Sequence, residues 1–433
     1  MKITVAGAGH AGLVAAALLS EKGHDVTVYE KKQKNELGHD WEDRFTFSLL
    51  SEITGKEIPE DIWRYRGDCA FVSPAYKTKV IINYTDENRQ KIMWRKPLIN
   101  LLLDFAEEKG VKFSFGTEIT GPLTEGNRVI GIATNAGEIK GDLVIDAAGV
   151  FSPVRSNLPS SFGIEKTPDR GDLFYAKRAY YNKIGDTMPE IPFEVFLCHN
   201  REQGLSWCCT NADSVDILIG RIDPLTDELY DKHVEKFRKD HDYIGTEILH
   251  GGQKGIIPVR RPLALMVADG YAAAGDSAFM TTPMNGMGID LSLNAGKLLA
   301  ETIIKAGNAD IGTLWSYNRE FHKKYGGFTS KNEGLKNSLL QLPGEGVDFL
   351  FDNEVIQSSD LAGAGTKTSI PSLLAKFVKG MRNPPYFFAI LGGIMKGSKM
   401  KKALESAPAV YDKDAVDKWQ NAVNSTLLKV TRK

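Results

Sequence analysis

Three groups of residues have types and spacings that could do chemistry. The first is Gly7-x-Gly9-x-x-Gly12, with Glu30 eighteen residues further on. A tight turn at Gly7 needs a residue without Cβ, Gly9 lets a backbone approach a pyrophosphate, and Gly12 lets a helix pack on a strand. The phosphates then meet a helix N-terminus, whose free N–H groups and dipole favour anions. Glu30 stands where a carboxylate reaches a ribose hydroxyl. His10, inside the loop, is either a cofactor contact or a solvent-facing turn residue. The second group is Asp146-Ala147-Ala148-Gly149, running on to Arg155. The third is Gly275-Asp276, followed by Pro283-x-x-Gly286-x-Gly288. Asp276 after a strand can bind ribitol or ribose hydroxyls, or cap a helix. Glycines at a helix start expose N–H groups to developing negative charge. A nicotinamide site would need the first group alone. The two later groups favour flavin, so FAD is the expected resident cofactor.

The elements that must hold these groups are legible in the hydrophobic pattern. Residues 3–6 read as a buried strand, 13–22 as a helix and 25–30 as a second strand, a βαβ unit. Strands follow at 69–72 and 78–84, with a turn at Asp86-Glu87-Asn88. A helix is expected at 97–109, a strand at 112–115 and a hairpin at 129–133 and 138–139. Residues 143–147 read as another buried strand. From 173 to 222 four strands follow one another without helices, which predicts an antiparallel sheet. Residues 229–250 read as helix, 271–274 as a strand entering Gly275-Asp276, and 288–305 as helix. Beyond about 330 the chain reads as helical and more basic.

The chain has 433 residues, 42% of them hydrophobic and 25% charged, with 54 Lys and Arg against 55 Asp and Glu. This composition excludes wholesale disorder, a collagen-like chain and a polytopic membrane protein. The near-neutral balance gives no global nucleic-acid footprint. Cys69, Cys198, Cys208 and Cys209 form no C-x-x-C pair, and the eight histidines complete no zinc spacing, so no metal is expected. Reduced thiols and the lack of a secretory signal point to a cytoplasmic protein. Adjacent Cys208 and Cys209 would face opposite sides of a strand, with at least one in the core. Residues 370–402 carry seven lysines and arginines and no acid, around the apolar run from Pro385 to Leu391. That pattern suits peripheral contact with an anionic membrane surface, or a helical lid with a solvated basic face.

The three motifs resemble the FAD-binding fold of the para-hydroxybenzoate hydroxylase group. More closely they are similar to its geranylgeranyl reductase branch. The resemblance rests on Glu36-Leu37-Gly38, Arg95 heading a helix, Gly255-Ile256-Ile257-Pro258, Gly275-Asp276-Ser277-Ala278, Pro283-x-x-Gly286-x-Gly288-Ile289 and Ala295-Gly296-Lys297. It covers about residues 1–310. The fold it implies is α/β: an FAD-binding Rossmann-like domain of the glutathione-reductase type, an inserted antiparallel β-sheet substrate domain and a helical C-terminal part. The expected boundaries are 1–66, 97–170 and 255–330 for the discontinuous FAD domain, 67–96 and 171–254 for the substrate sheet, and 331–433 for the C-terminal region. Cofactor contacts are implied at Gly7, Gly9, His10, Ala11, Gly12, Glu30, Lys31, Arg44, Arg95, Ile119, Ala148, Gly149, Gly275, Asp276, Gly286, Met287, Gly288 and Ile289. Arg95 is expected near the pyrophosphate, and the loop from Asn285 to Gly288 at flavin N1 and O2. Trp207, Asn285 and Met287 are the candidates for the flavin face and pocket, Trp207 being either a pocket wall or a core aromatic.

The implied activity is reduction of C=C bonds in an isoprenoid or other apolar lipid by hydride from reduced flavin. The electron donor would be docked NAD(P)H or a small redox protein, since no second G-x-G-x-x-G stands in a strand–helix context. The alternatives are a flavin monooxygenase of the same fold and a flavoprotein with structural or non-redox FAD.

Overall fold

The computed structural model describes residues 1–85, 89–361 and 370–426. A six-stranded sheet runs in the order Val267–Ala268, Tyr271–Ala273, Leu143–Asp146, Lys2–Ala6, Asp25–Glu30, Lys112–Phe115. All neighbours are parallel except the first pair. Its central strands are continuous apolar runs because both faces are covered. The register sets Ala6 opposite Asp146 and Asp146 opposite Ala273. In a parallel sheet those matched ends open at one edge, so the segments starting at Gly7, Ala147 and Ala274 emerge side by side.

Helix His10–Glu21 covers one face with small buried residues from Ala11 to Ala17. It begins three residues before the expected start, because Gly9 is its N-cap and the last residues of the glycine motif are themselves its first turn. Helix Ile289–Ala306 lies against it at Gly296, where a side chain would collide with the Ala11 carbonyl. On the other face the expected hairpin is a three-stranded sheet of Ile119–Glu125, Arg128–Thr134 and Gly137–Lys140. Gly121-Pro122 disguises the first strand as a turn, and the ladder there is irregular.

A seven-stranded sheet runs in the order Ile244–Pro258, Leu173–Lys183, Ser214–Arg221, Gly204–Thr210, Phe193–Leu197, Cys69–Val72, Lys79–Ile82. It is antiparallel except where Phe193–Leu197 meets Cys69–Val72. The helix expected over 229–250 is corrected here. Helix Asp227–Asp240 stops after the buried stripe Tyr230, His233, Val234 and Phe237, and the chain turns into the strand Ile244–Pro258. Long-range pairing with Leu173–Lys183 overrides the local helical pattern. The same strand carries Gly255–Pro258 into this sheet rather than the six-stranded one. A fourth, unexpected sheet joins Glu42–Arg44, Lys91–Trp94 and Trp63–Tyr65. Strands of three or four residues are too short to show a period. The turn expected at Asp86-Glu87-Asn88 lies outside the described residues.

The C-terminal part is helical; helix Gly344–Asp352 packs against the seven-stranded sheet, while Leu404 and helix Lys413–Asn424, through Val416, Trp419 and Val423, join the core of the six-stranded sheet. Leu342, Val347, Leu350 and Phe351 form an apolar cluster with Phe71, Leu197 and Tyr386. Helix Gly327–Gln341 crosses helix Pro384–Glu405 at glycines, and a Cβ on Gly397 would stand 2.7 Å from the Ser330 carbonyl oxygen. Glu333 ties the bundle to the rest by accepting the Arg261 N–H at 2.9 Å. Among the described residues no helix is long and apolar enough to cross a membrane.

Candidate functional site

At the shared edge of the six-stranded sheet the three motifs pack into one cradle. Gly7 has φ +86°, and a Cβ there or on Gly9 would lie 2.7 Å from the Ala147 carbonyl oxygen. A Cβ on Gly12 would lie 2.7 Å from the Ala147 methyl. The first motif is therefore glycine-rich because the second presses on it. Asp146 is buried and holds its own loop, accepting from Ala148 N–H at 3.1 Å, Ser152 Oγ at 2.6 Å and Tyr271 Oη at 2.8 Å. The third motif closes on the second through Gly149 N–H, which donates to Ser277 Oγ at 3.0 Å. Arg155 binds the Ser277 and Val150 carbonyls and stacks on Phe279.

The cradle presents donors toward an anion. Helices His10–Glu21 and Ile289–Ala306 both start without a side-chain cap, which leaves N–H groups of their first turns free. His10 Nε2 is buried with no hydrogen-bond partner. Burial, and next the Arg95 guanidinium, pull His10 down to about 4, so its ring is neutral near pH 7. Glu30 accepts Ala8 N–H at 3.0 Å and Lys32 N–H at 3.0 Å, tying the loop to the end of the second strand.

Arg95 heads helix Arg95–Glu108 and donates to both Asp43 carboxylate oxygens, at 2.6 and 2.8 Å. Burial alone would raise Asp43, but Arg95 outweighs it and holds the carboxyl below its ordinary range. Burial pushes Asp276 up to about 6, against the pull of Arg95. His10, Asp43, Arg95 and Asp276 thus form one electrostatic group drawn from four separate elements. Asp276 does not cap a helix; it sits in the 3-10 turn Gly275–Ala278, and a Cβ on Gly288 would lie 3.5 Å from its Oδ1. The loop after it folds back on itself: Gly286 N–H donates to the Thr282 carbonyl at 2.8 Å, and Thr282 N–H to the Met287 carbonyl at 2.8 Å. Asn285 is exposed, and Met287 and Gly288 are half-buried.

Trp207 lies in the seven-stranded sheet on the face that holds Cys209, Cys69, Phe193 and Val195. Cys208 belongs to the core on the opposite face, and both cysteines are buried. The Arg178 guanidinium stacks 5.0 Å from the Trp207 ring and is held by Asp216 at 2.7 and 2.8 Å. Trp207 Nε1 is buried without a partner, as is Trp41 Nε1.

Not every expected residue joins the cradle. Lys31 is exposed, and Ile119 is buried at the start of its own strand. Arg44 lies near Tyr84, Arg66 and Cys69 beside the seven-stranded sheet, and near Asp290 in the first turn of helix Ile289–Ala306. Sequence reasoning missed Asp43, Trp41, Ala147 and Ser277. The last two stand inside motifs already singled out. Asp43 carried one signal, an acid beside an expected site arginine's strand, visible only once that strand is known.

The residues present fit a dinucleotide cofactor: a glycine cradle closed to side chains, two uncapped helix starts, an orphaned His10 nitrogen, and carboxylates at Glu30 and Asp276. Comparison with known proteins agrees. Residues 5–42 match the model of the NAD(P)-binding Rossmann-like domain, and residues 95–302 match that of the FAD dependent oxidoreductase family. A digeranylgeranylglycerophospholipid reductase of Sulfolobus acidocaldarius is 24% identical over 98% of this chain and 97% of its own. A geranylgeranyl bacteriochlorophyll reductase-like protein of Thermoplasma acidophilum superposes with a TM-score of 0.73 at 17% identity, over 91% of this chain and 99% of its own. A probable FAD-dependent monooxygenase from Pseudomonas aeruginosa gives 0.59 at 19% identity, over 81% and 99%.

Proposed function

Starting from an FAD-dependent oxidoreductase of the reductase type, we propose that this protein reduces C=C bonds in an isoprenoid or similar apolar lipid. The observation that carries the reading is similarity along almost the whole of both chains to a reductase of such a lipid. An aromatic and thiol-lined sheet face at Phe193, Trp207 and Cys209 supports it, since apolar walls suit an apolar substrate. FAD, once bound and reduced by the electron donor, would supply a hydride to one alkene carbon and return to the oxidised form, with a proton completing the other carbon.

The chain's own residues bind and orient. Gly7, Gly9 and the first turn from His10 to Gly12 hold the pyrophosphate, with Arg95 beside them. Glu30 and Asp276 take ribose and ribityl hydroxyls, and Ala148 and Gly149 line the same cradle. Gly288 and Ile289, at the uncapped start of helix Ile289–Ala306, offer N–H groups where negative charge develops. Electrons arrive from NAD(P)H or a small redox protein.

The fold neighbour among monooxygenases supports a second reading, oxygen insertion. Anaerobic photoreduction followed by reoxidation separates the two. Rapid reoxidation by polyprenyl lipids, with slow reaction toward oxygen, is the expected result. Substrate-stimulated peroxide or hydroxylated product would replace reduction by oxygenation.

Membrane contact through 370–402 belongs to the same reading, because the substrate resides in lipid. Phe377, Val378, Met381, Phe388, Ile394 and Met395 are each exposed in this segment. Phe387 instead packs against Phe377 and the apolar cluster. Lys376 and Lys379 pair with Asp360 and Glu354, and Lys401 with Glu405. Lys396 and Lys399 stand exposed in the same segment.

A further inference from the structure

We propose that Arg44 and Arg66 form an anion subsite that takes the phosphate group of a phosphorylated lipid substrate. This deepens the reading above and rests on it.

The subsite is built by the small three-stranded sheet. Arg44 and Arg64 both pair with Ile92, so their side chains leave the same face. Arg66 lies two residues beyond Arg64, and its N–H donates to the Gln90 carbonyl at 2.8 Å, which continues the alternation and puts a third guanidinium on that face. One carboxylate shares the face, and it is fully engaged. Glu42 is buried and accepts Arg64 Nε and Nη2 at 2.7 and 2.6 Å, while Arg64 also reaches Asn211 Oδ1 at 2.9 Å.

Arg44 and Arg66 are different. Among the described residues neither has a carboxylate within ion-pair distance. Arg66 Nε is buried without a hydrogen-bond partner, and its guanidinium lies 4.4 Å above the Phe193 ring. Arg44 is half-buried and feels Arg66 as a neighbouring cation. The nearest opposite charge on Arg44 is Asp290, which stands beyond ion-pair distance and accepts Thr46 N–H at 2.7 Å and Thr46 Oγ1 at 3.0 Å. Asp68 accepts Tyr84 N–H at 2.9 Å.

Two neighbouring, partly desolvated cations with no carboxylate in ion-pair contact are costly, and a ligand that brings a directly contacting counter-charge reduces the cost. A phosphate matches two guanidinium forks in charge and geometry. From Phe193 the apolar face continues to Trp207, whose ring meets it edge-on at 6.0 Å. A phosphate on the arginines would therefore leave an attached apolar chain lying along that face.

The test uses flavin-loaded protein, wild type and the Arg44→Gln, Arg66→Gln and double variants. Inorganic pyrophosphate is titrated by calorimetry. In parallel, reduction is compared for a polyprenyl phosphate and the uncharged polyprenol of equal length. We expect each single variant to raise KM for the phosphorylated lipid roughly tenfold or more, the scale of one charge-assisted hydrogen bond. The polyprenol should be unaffected, pyrophosphate should compete with the phosphorylated lipid, and the double variant should no longer bind it. Equal losses on both lipids, or pyrophosphate binding that survives the double substitution, would overturn the subsite. Loss of flavin in Arg44→Gln would return that arginine to the cofactor cradle and equally refute it. If wild type reduces neither lipid, the substrate reading fails, while the pyrophosphate titration still decides the subsite.

Discussion

Gly149 donates its backbone N–H to the Ser277 hydroxyl at 3.0 Å, joining two glycine-containing segments 128 residues apart into one wall. The same hydroxyl lies 3.3 Å from the Gly149 carbonyl oxygen, and Ser277 itself is fully buried. Replacing Ser277 by Ala leaves the Gly149 N–H without its partner. We expect a loss of about 1–3 kcal/mol in stability, read by urea denaturation, together with weaker flavin retention on gel filtration. An unchanged midpoint and full flavin content would show that this contact does not hold the wall.

Gly9→Ala tests the cradle from its other side. The new methyl would lie 2.7 Å from the Ala147 carbonyl oxygen, which belongs to backbone and cannot swing away. The expected outcome is overpacking worth roughly 1–3 kcal/mol and protein that purifies colourless. A yellow protein with wild-type stability would mean that the loop can open by several tenths of an ångström at no cost.

Asp276 makes stability and cofactor binding respond oppositely to one substitution. Burial raises its carboxyl to about 6 in the folded chain, well above its unfolded value. The folded state therefore favours the protonated form. That contribution is fully present below about pH 4 and is lost as pH rises through about 6. Asp276→Asn, which cannot ionise, should flatten the decline across this window. At pH 7 the flavin-free variant should be more stable than wild type, by up to about 3 kcal/mol at 1.36 kcal/mol for each pH unit. Its FAD affinity should fall, because a charged hydroxyl acceptor is gone. Parallel melting curves of flavin-free protein from pH 4 to pH 8 check the first effect, and flavin fluorescence titration checks the second.

The C-terminal patch gives a prediction independent of chemistry. Phe388 and Met395 are 52% and 65% exposed, one helical face apart by two turns, with Lys396 and Lys399 beside them. Flotation with anionic liposomes should succeed at low salt and fade at high salt, at about 1 kcal/mol for each lysine near the surface. Lys396→Glu/Lys399→Glu should abolish flotation, and Phe388→Ser/Met395→Ser should weaken it even at low salt. Binding indifferent to charge, salt and these residues would remove the membrane contact while leaving the oxidoreductase intact.

The sequence by itself determined the dinucleotide cradle. Gly7, Gly9, Gly12 and Glu30 stand on consecutive elements of one βαβ unit, so their geometry follows from local turn and helix rules. The buried strand before Asp146 and the strand before Gly275-Asp276 were legible for the same reason: a short apolar run ending in glycine is a local pattern. Tertiary structure alone decided how these pieces meet. Only the register Ala6, Asp146, Ala273 across three parallel strands sets the motifs edge to edge, and register depends on partners more than a hundred residues away. The same holds for the strand Ile244–Pro258, whose first residues read as helix until pairing with Leu173–Lys183 recruits them. It holds most for Asp43 beneath Arg95 and for the two arginines beside Phe193. Their sheet is made of strands too short to carry a period, so the charges they present became visible only once the chain had brought them onto one face.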